Sequence, residues 1–188
     1  MNPASNEDLS RLIARIANAD KQAFSTLYQT FEKPLYRFIR TKLNDPFLAA
    51  DILHDVFLEI WRGAARFQNK SSVKTWVFAI AYRKTMDVFR KNGRLVGEEE
   101  IPEQVDGSPD ATQCLIAAEE KELVRNCLQT LKAEHRSVIE MTFFEDMSYR
   151  EISEIAGIPE GTAKTRVFHA KSLLLRCLQA RMGKGARS

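Results

Sequence analysis

Residues that serve metal and redox chemistry are scarce in this chain. There are three cysteines, Cys114, Cys127 and Cys177, and three histidines, His54, His135 and His169, in 188 residues. No Cys-x-x-Cys pair occurs, and the histidines do not fall at metal-ligand spacings with the cysteines. The cysteines therefore read as small packing residues or incidental surface thiols. A redox or zinc-sensing role has no support in their spacing. No glycine-rich phosphate loop follows a strand, and no cluster of His, Cys and carboxylates has catalytic spacing. The expectation is a protein that is not an enzyme and holds no cofactor and no metal. No apolar run approaches the roughly 20 residues that span a bilayer, so no membrane insertion is expected. The opening MNPASNEDLS lacks the basic-then-apolar pattern of a signal peptide, which points to the cytoplasm. Sustained period-two alternation is also missing, which leaves an all-α class. Net charge is only +3, so any case for nucleic acid must rest on where the charge sits.

What is present is most legible from Ser148 to Leu175. Ser148 followed by Glu151 has the spacing of a capping box, starting a helix with apolar Ile152, Ile155 and Ala156. Gly157 can take the left-handed conformation just past a helix end, and Pro159 suits a first helical position. A second helix from about Pro159 carries Gly161, Thr162, Lys164, Thr165, Arg166, Phe168, His169 and Lys171, then Leu173, Leu174 and Leu175. Helix, tight glycine turn and helix with a basic leading end form a helix-turn-helix shaped for a DNA major groove. Charge agrees with that orientation. From Gly161 onward there are seven Lys or Arg and no acidic residue, against five basic and ten acidic residues from Ala118 to Glu160.

Upstream, helical spacing predicts a helix over Asp8 to Ala17. A second carries the stripe Phe24, Leu27, Tyr28, Phe31, Leu35, Phe38 and Ile39, where Pro34 can bend it. A third, Pro46 to Phe67, buries Ile52, Leu53, Val56, Phe57, Ile60 and Trp61 and shows Asp51, Asp55, Glu59 and Arg62 on its other face. After the polar loop Gln68 to Ser72, a helix over Val73 to Lys91 mixes Trp76, Phe78, Tyr82 and Phe89 with Lys74, Arg83, Lys84, Arg90 and Lys91. Rings interleaved with cations suit unpaired bases and their phosphates, although Trp76 by pattern alone reads better as core. Arg94 to Ala117 holds six acidic residues against Arg94, with Pro102, Gly107 and Pro109, which reads as a flexible acidic linker. Helices over about Leu115 to Leu131 and Ala133 to Glu145 should brace the helix-turn-helix, with Val138, Ile139 and Phe143 facing inward. The expected layout is 1–93, a linker at 94–114, 115–182, and a frayed tail at 183–188.

The string Tyr149-x-Glu151-Ile152-x-x-Ile155-x-Gly157-Ile158-Pro159-Glu160-Gly161-Thr162-x-Lys164-Thr165-Arg166 resembles region 4, the minus-35-reading segment, of extracytoplasmic-function (ECF) sigma factors in the sigma-70 family. Asp51-Ile52-x-His54-Asp55-Val56-Phe57-Leu58-x-Ile60-Trp61 and Thr75-Trp76-Val77-Phe78-x-Ile80-Ala81-Tyr82-Arg83-x-x-x-Asp87-x-x-Arg90 resemble two helices of region 2. The resemblance covers roughly residues 8 to 92 and 115 to 178, both motifs in the family's order. It implies two small helical domains, a region 2 bundle and a region 4 helix-turn-helix, on a tether. Core RNA polymerase, through its largest-subunit clamp and its flap, promoter DNA and an anti-sigma factor are the implied partners. The linker would thread near the polymerase active-site cleft.

Carried over residue by residue, Lys164, Thr165, Phe168 and His169 would meet the minus-35 element, with Arg166 and Lys171 on phosphate. His169 departs from the Arg common there. The loop Gln68, Asn69, Lys70, Ser71 and Ser72 would read a flipped minus-10 base, with Trp76, Tyr82, Arg83, Lys84 and Arg90 holding the strand nearby. Asp51, Asp55, Glu59 and Arg62 would dock on polymerase. From the residues alone, a stand-alone regulator whose N-terminal helices dimerise or sense a ligand stays open beside this reading.

Overall fold

The computed structural model describes residues 5–43, 45–93 and 122–185, so the expected linker and residues 186–188 lie outside the described residues. Among the described residues every regular element is helical. Four helices come first: α1 (Asn6–Ala17), α2 (Lys21–Arg40), α3 (Pro46–Gly63) and α4 (Val73–Gly93). Four follow: α5 (122–129), α6 (Ala133–Phe143), α7 (Tyr149–Ala156) and α8 (Glu160–Gly185). The all-α expectation holds.

Side-chain caps set most of the starts. Ser5 accepts from the Asp8 amide ahead of α1, Asp20 from those of Gln22 and Ala23 ahead of α2, and Asp45 from those of Phe47 and Leu48 ahead of α3. Each satisfies amides that the first turn leaves without partners. Pro34 sits inside α2 without ending it. The third helix stops sooner than its apolar pattern suggests. It gives way after Gly63, which lies against the Trp76 ring, to a single 3-10 turn, Ala64–Arg66. At the other end α8 runs on to Gly185, through the first residues of the expected frayed tail.

In the N-terminal half, α1 contributes Leu9, Ile13 and Ile16 to a core filled by Leu27, Phe31, Leu35 and Phe38 of α2 and Ile52, Leu53, Val56 and Ile60 of α3. Edge-on ring pairs lock α2 to its neighbours: Phe24 on Trp61 at 5.1 Å and Phe38 on Phe78 at 5.3 Å. The C-terminal half packs Val138, Ile139 and Met141 of α6 against Ile152 and Ile155 of α7 and Ala163, Val167 and Ala170 of α8. Phe143, expected to face inward, is half exposed. It is the last residue of α6, and the Lys171 ammonium of α8 lies over its ring at 5.9 Å.

The two halves are in contact. The seam joins α4 to α7 and is polar at its centre: Lys42 pairs with Glu140 with both side chains buried. Arg136, also buried, donates to the Thr41 carbonyl across the seam and to the carbonyls of Gln129 and Leu131 on its own side. It thereby satisfies the last carbonyls of α2 and α5 together.

The cysteines correct the sequence reading. Cys127, fully buried, is joined by a disulfide to Cys177, tying α5 to α8 across a sequence separation of 50. Spacing hides such a pair, since the two residues meet only after the two intervening helices, α6 and α7, have folded back. Closing a loop of that size restricts the unfolded chain by about 2–4 kcal/mol. Adding dithiothreitol, or replacing Cys177→Ser, is expected to lower the thermal midpoint of the C-terminal half by several degrees, as measured by circular dichroism.

Candidate nucleic-acid interface

The helix-turn-helix forms as its sequence specifies. Ser148 Oγ accepts from the Glu151 amide while Glu151 accepts from the Ser148 amide at 2.9 Å, a reciprocal capping box. Gly157 ends α7 with φ +65°, where a Cβ would be strained. Burial would raise the Glu151 pKa, but bonds from Ser148 and Thr75 and the nearby Lys74 charge hold it below the usual value. A lowered carboxylate stabilises the fold at neutral pH and loses that contribution as acid protonates it.

The register of α8 is set by its buried residues, Ala163, Val167 and Ala170. At about 100° per residue Lys164, Phe168 and Lys171 form one exposed stripe flanking the buried face, with Thr165 and His169 farther round the helix. Phe168 is 75% exposed, which dismisses a core role for it. Thr165 Oγ1 donates to the Gly161 carbonyl at 2.9 Å and has its lone pairs left for a ligand. Arg166 points elsewhere. It pairs with Glu134 at 3.5 Å and lies beside Tyr82 of α4, so it is separated from the other five. His169 stands edge-on to His135 at 6.0 Å. Burial lowers the His135 pKa, and the neighbouring His169 and Arg166 lower it further.

The loop between α3 and α4 divides into two parts. Gln68, Asn69 and Lys70 are exposed, with Asn69 in the left-handed region at φ 53° that asparagine tolerates. Ser71 is half-buried, and Ser72 is engaged as the cap of α4, accepting from the Thr75 amide at 3.0 Å. On α4, Trp76 is half-buried and stacks on Phe67 at 4.8 Å, so it braces the loop. Burial raises the Tyr82 pKa and Glu134 adds to that, with the Arg166 guanidinium opposing. Arg83 and Lys84 both reach Glu59, at 3.6 and 3.1 Å, while Arg90 pairs with Asp87.

That arrangement divides the acidic set on α3. Asp51, Asp55 and Arg62 face solvent, whereas Glu59 turns toward the cations of α4. Between them stands Leu58, 49% exposed, with Phe47 at 81% near the start of the helix. Neither was singled out from sequence. Their signal was there, since both fall off the buried stripe of α3. No group of His, Cys, Asp or Glu among the described residues could hold a metal ion. No described helix is long and apolar enough to cross a membrane.

Fold and surface together define an all-helical protein with an N-terminal bundle carrying an aromatic and basic helix and a C-terminal helix-turn-helix. Comparison with known families gives the same division. Residues 27–95 match sigma-70 region 2 and residues 121–174 match sigma-70 region 4. The ECF RNA polymerase sigma factor SigK of Mycobacterium bovis is 28% identical over 181 residues, covering 94% of this chain and 96% of that protein. SigK of Mycobacterium sp. (strain JLS) is 26% identical, covering 94% and 93%. Among solved structures, CnrH in complex with the cytosolic domain of CnrY superposes with a TM-score of 0.69 at 22% identity, covering 91% of this chain and 97% of that one. RpoE in complex with the anti-sigma factor NepR from Bartonella quintana gives 0.66 at 24%, covering 83% and 96%. The chain belongs to the sigma-70 family, as a member of its ECF class. The match over 27–95 disfavours the dimerising or sensing domain that a stand-alone regulator would need there.

Ser148→Ala removes the cap of α7 and is expected to cost about 1 kcal/mol. A urea titration followed by circular dichroism measures it, and Ser148→Thr should restore most of the loss.

Proposed function

We propose that this chain is a promoter-specificity subunit without chemistry of its own. It binds core RNA polymerase and directs initiation at promoters carrying its own minus-35 and minus-10 elements. The observation that carries the reading is the order of the two matched regions on one chain, the second ending in the exposed stripe Lys164, Phe168 and Lys171. Two modules of modest affinity on one chain multiply through effective concentration.

In this reading Lys164 donates to guanine O6 or N7, Thr165 meets a base or phosphate, and Phe168 packs on a thymine methyl. Lys171 neutralises phosphate and His169 sits where a longer donor would reach further. Gln68, Asn69 and Lys70 read the minus-10 base, with Ser71 and Ser72 shaping their loop. Tyr82, Arg83, Lys84 and Arg90 hold the strand, and Trp76 supports them from behind. Asp51, Asp55 and Arg62, framing Leu58, dock on the polymerase clamp. Working inside the cytoplasm, the chain would be held in check by an anti-sigma factor, a class of partner that NepR represents for its own sigma factor.

Run-off transcription by purified bacterial core polymerase on a promoter library is the test. Specific initiation only with this protein present supports the reading, and tight duplex binding with no initiation overturns it. Lys164→Ala should cost about 1–3 kcal/mol at promoters that need the minus-35 base, and relax specificity there. Equal loss on all sequences would show a phosphate contact instead. Asp51→Lys with Asp55→Lys should abolish core binding in a pull-down while leaving the helical circular dichroism signal intact.

A further inference from the structure

Two cations of α8 are held by side chains of α6, and they are held by different chemistry. Arg166 lies against the carboxylate of Glu134, in the first turn of α6, at 3.5 Å. The Lys171 ammonium lies over the ring of Phe143, the last residue of α6, at 5.9 Å. Among the described residues Lys171 has no carboxylate within ion-pair distance.

The register of α8 brings this about. Its buried face centres on Ala163, Val167 and Ala170, and at about 100° per residue Arg166 and Lys171 fall roughly 70° to either side of that centre. Both side chains therefore leave α8 along its flanks, where α6 packs against it. One flank meets the start of α6 and the other its end.

The two holders have opposite consequences for DNA. A carboxylate fixes a cation and also cancels its charge. Arg166, its side chain only 21% exposed and paired with Glu134, has little attraction left for an outside anion. A ring attracts an ammonium through its quadrupole and carries no net charge. Lys171, which is exposed, keeps its full charge for a phosphate. The contact also accounts for Phe143, which is 51% exposed and takes no part in the buried core. A lysine on an open surface loses rotamer freedom when it meets a phosphate. With its ammonium already over a ring, part of that loss has been taken on folding.

We propose that Phe143 is a positioning residue for promoter DNA. Its ring holds the Lys171 ammonium, with its charge intact, beside the stripe of Lys164 and Phe168, so that the phosphate backbone of the minus-35 element crosses α8 next to the end of α6. Phe143 touches no base and acts through Lys171. The proposal rests on the promoter-reading assignment of α8 for its ligand and on the contact between Phe143 and Lys171 for its mechanism.

The first measurement needs no DNA. In a lysine-labelled carbon–proton NMR spectrum of the full chain, the ε-methylene protons of Lys171, assigned by their loss in Lys171→Ala, should lie upfield of the other lysines through the ring current. Phe143→Leu, similar in bulk but without a π-face, should return them to the ordinary position, and Phe143→Trp should keep them upfield. An ordinary position in wild type overturns the hold.

The second measurement uses the holoenzyme assembled with core polymerase, on promoter duplexes across a salt series. Phe143→Leu should weaken binding about two- to fivefold on every promoter alike, and Phe143→Trp should restore it. The slope of log affinity against log salt should fall by up to about 0.9, the value of one phosphate contact. Lys171→Ala should weaken binding at least as much, and adding Phe143→Leu to it should cost nothing further. Unchanged affinity in Phe143→Leu overturns the positioning role, as does a loss that adds in full to that of Lys171→Ala, which would give Phe143 a role of its own. The spectrum is read without polymerase. A failure of the sigma-factor reading would therefore appear as no promoter-specific initiation by wild type, with the upfield Lys171 signal intact.

Discussion

The buried pair of Lys42 and Glu140 is the constraint that the arrangement of the two halves depends on. An ammonium removed from water is tolerated only if its surroundings replace the lost solvation. Here four groups supply it: the Glu140 carboxylate, the Phe38 carbonyl at 2.5 Å, the Thr41 hydroxyl at 3.2 Å and the Phe38 ring at 3.5 Å. Even so, burial lowers the Lys42 pKa to about 8, with Glu140 opposing the shift and Arg136 adding to it. Three of those four solvating groups belong to Phe38 and Thr41 at the end of α2 and one to α6. The position of one half is thereby specified by the charge of the other, in a way that an apolar seam of similar area would not achieve.

The helices were legible because their starts and faces are written locally. Ser148 caps where its spacing to Glu151 places it, Asp20 and Asp45 cap α2 and α3 through amides two and three residues on, and the buried stripes of α2 and α3 follow the expected spacing. The helix-turn-helix was legible for the same reason, since a capping box and a left-handed glycine are properties of a few adjacent residues. What escaped was set by tertiary contact. Glu59 shares a helix face with Asp51 and Asp55 by spacing, yet its partners come from α4. Arg166 reads as a phosphate ligand from its place in a basic run, but Glu134 lies at hand in the fold. The Cys127–Cys177 bond and the seam itself join residues far apart in sequence, where no local pattern can show.

The outward face of α8 is built from few residues. Ala163, Val167 and Ala170 press α8 against the body of its half, and small residues at two of these three places let the helix sit close. The side chains that remain outward are one cation, one ring and a second cation in successive turns, which offers charge for phosphate and an apolar face for a methyl group without rearrangement. Glu151 has two tasks at once, closing the capping box of α7 and accepting from Thr75 across the seam. The start of the helix-turn-helix and the contact between halves are consequently linked through a single carboxylate.

The bond between Cys127 and Cys177 closes a covalent ring in the C-terminal half, with α6, α7 and the exposed stripe Lys164, Phe168 and Lys171 of α8 inside it. A backbone cut anywhere within that ring leaves one molecule, because the two pieces stay joined at the α5–α8 crossing. Nicking the exposed turn between α7 and α8 would therefore not release α8 from the body that orients it. The fragments would part only after the sulfurs had been separated as well.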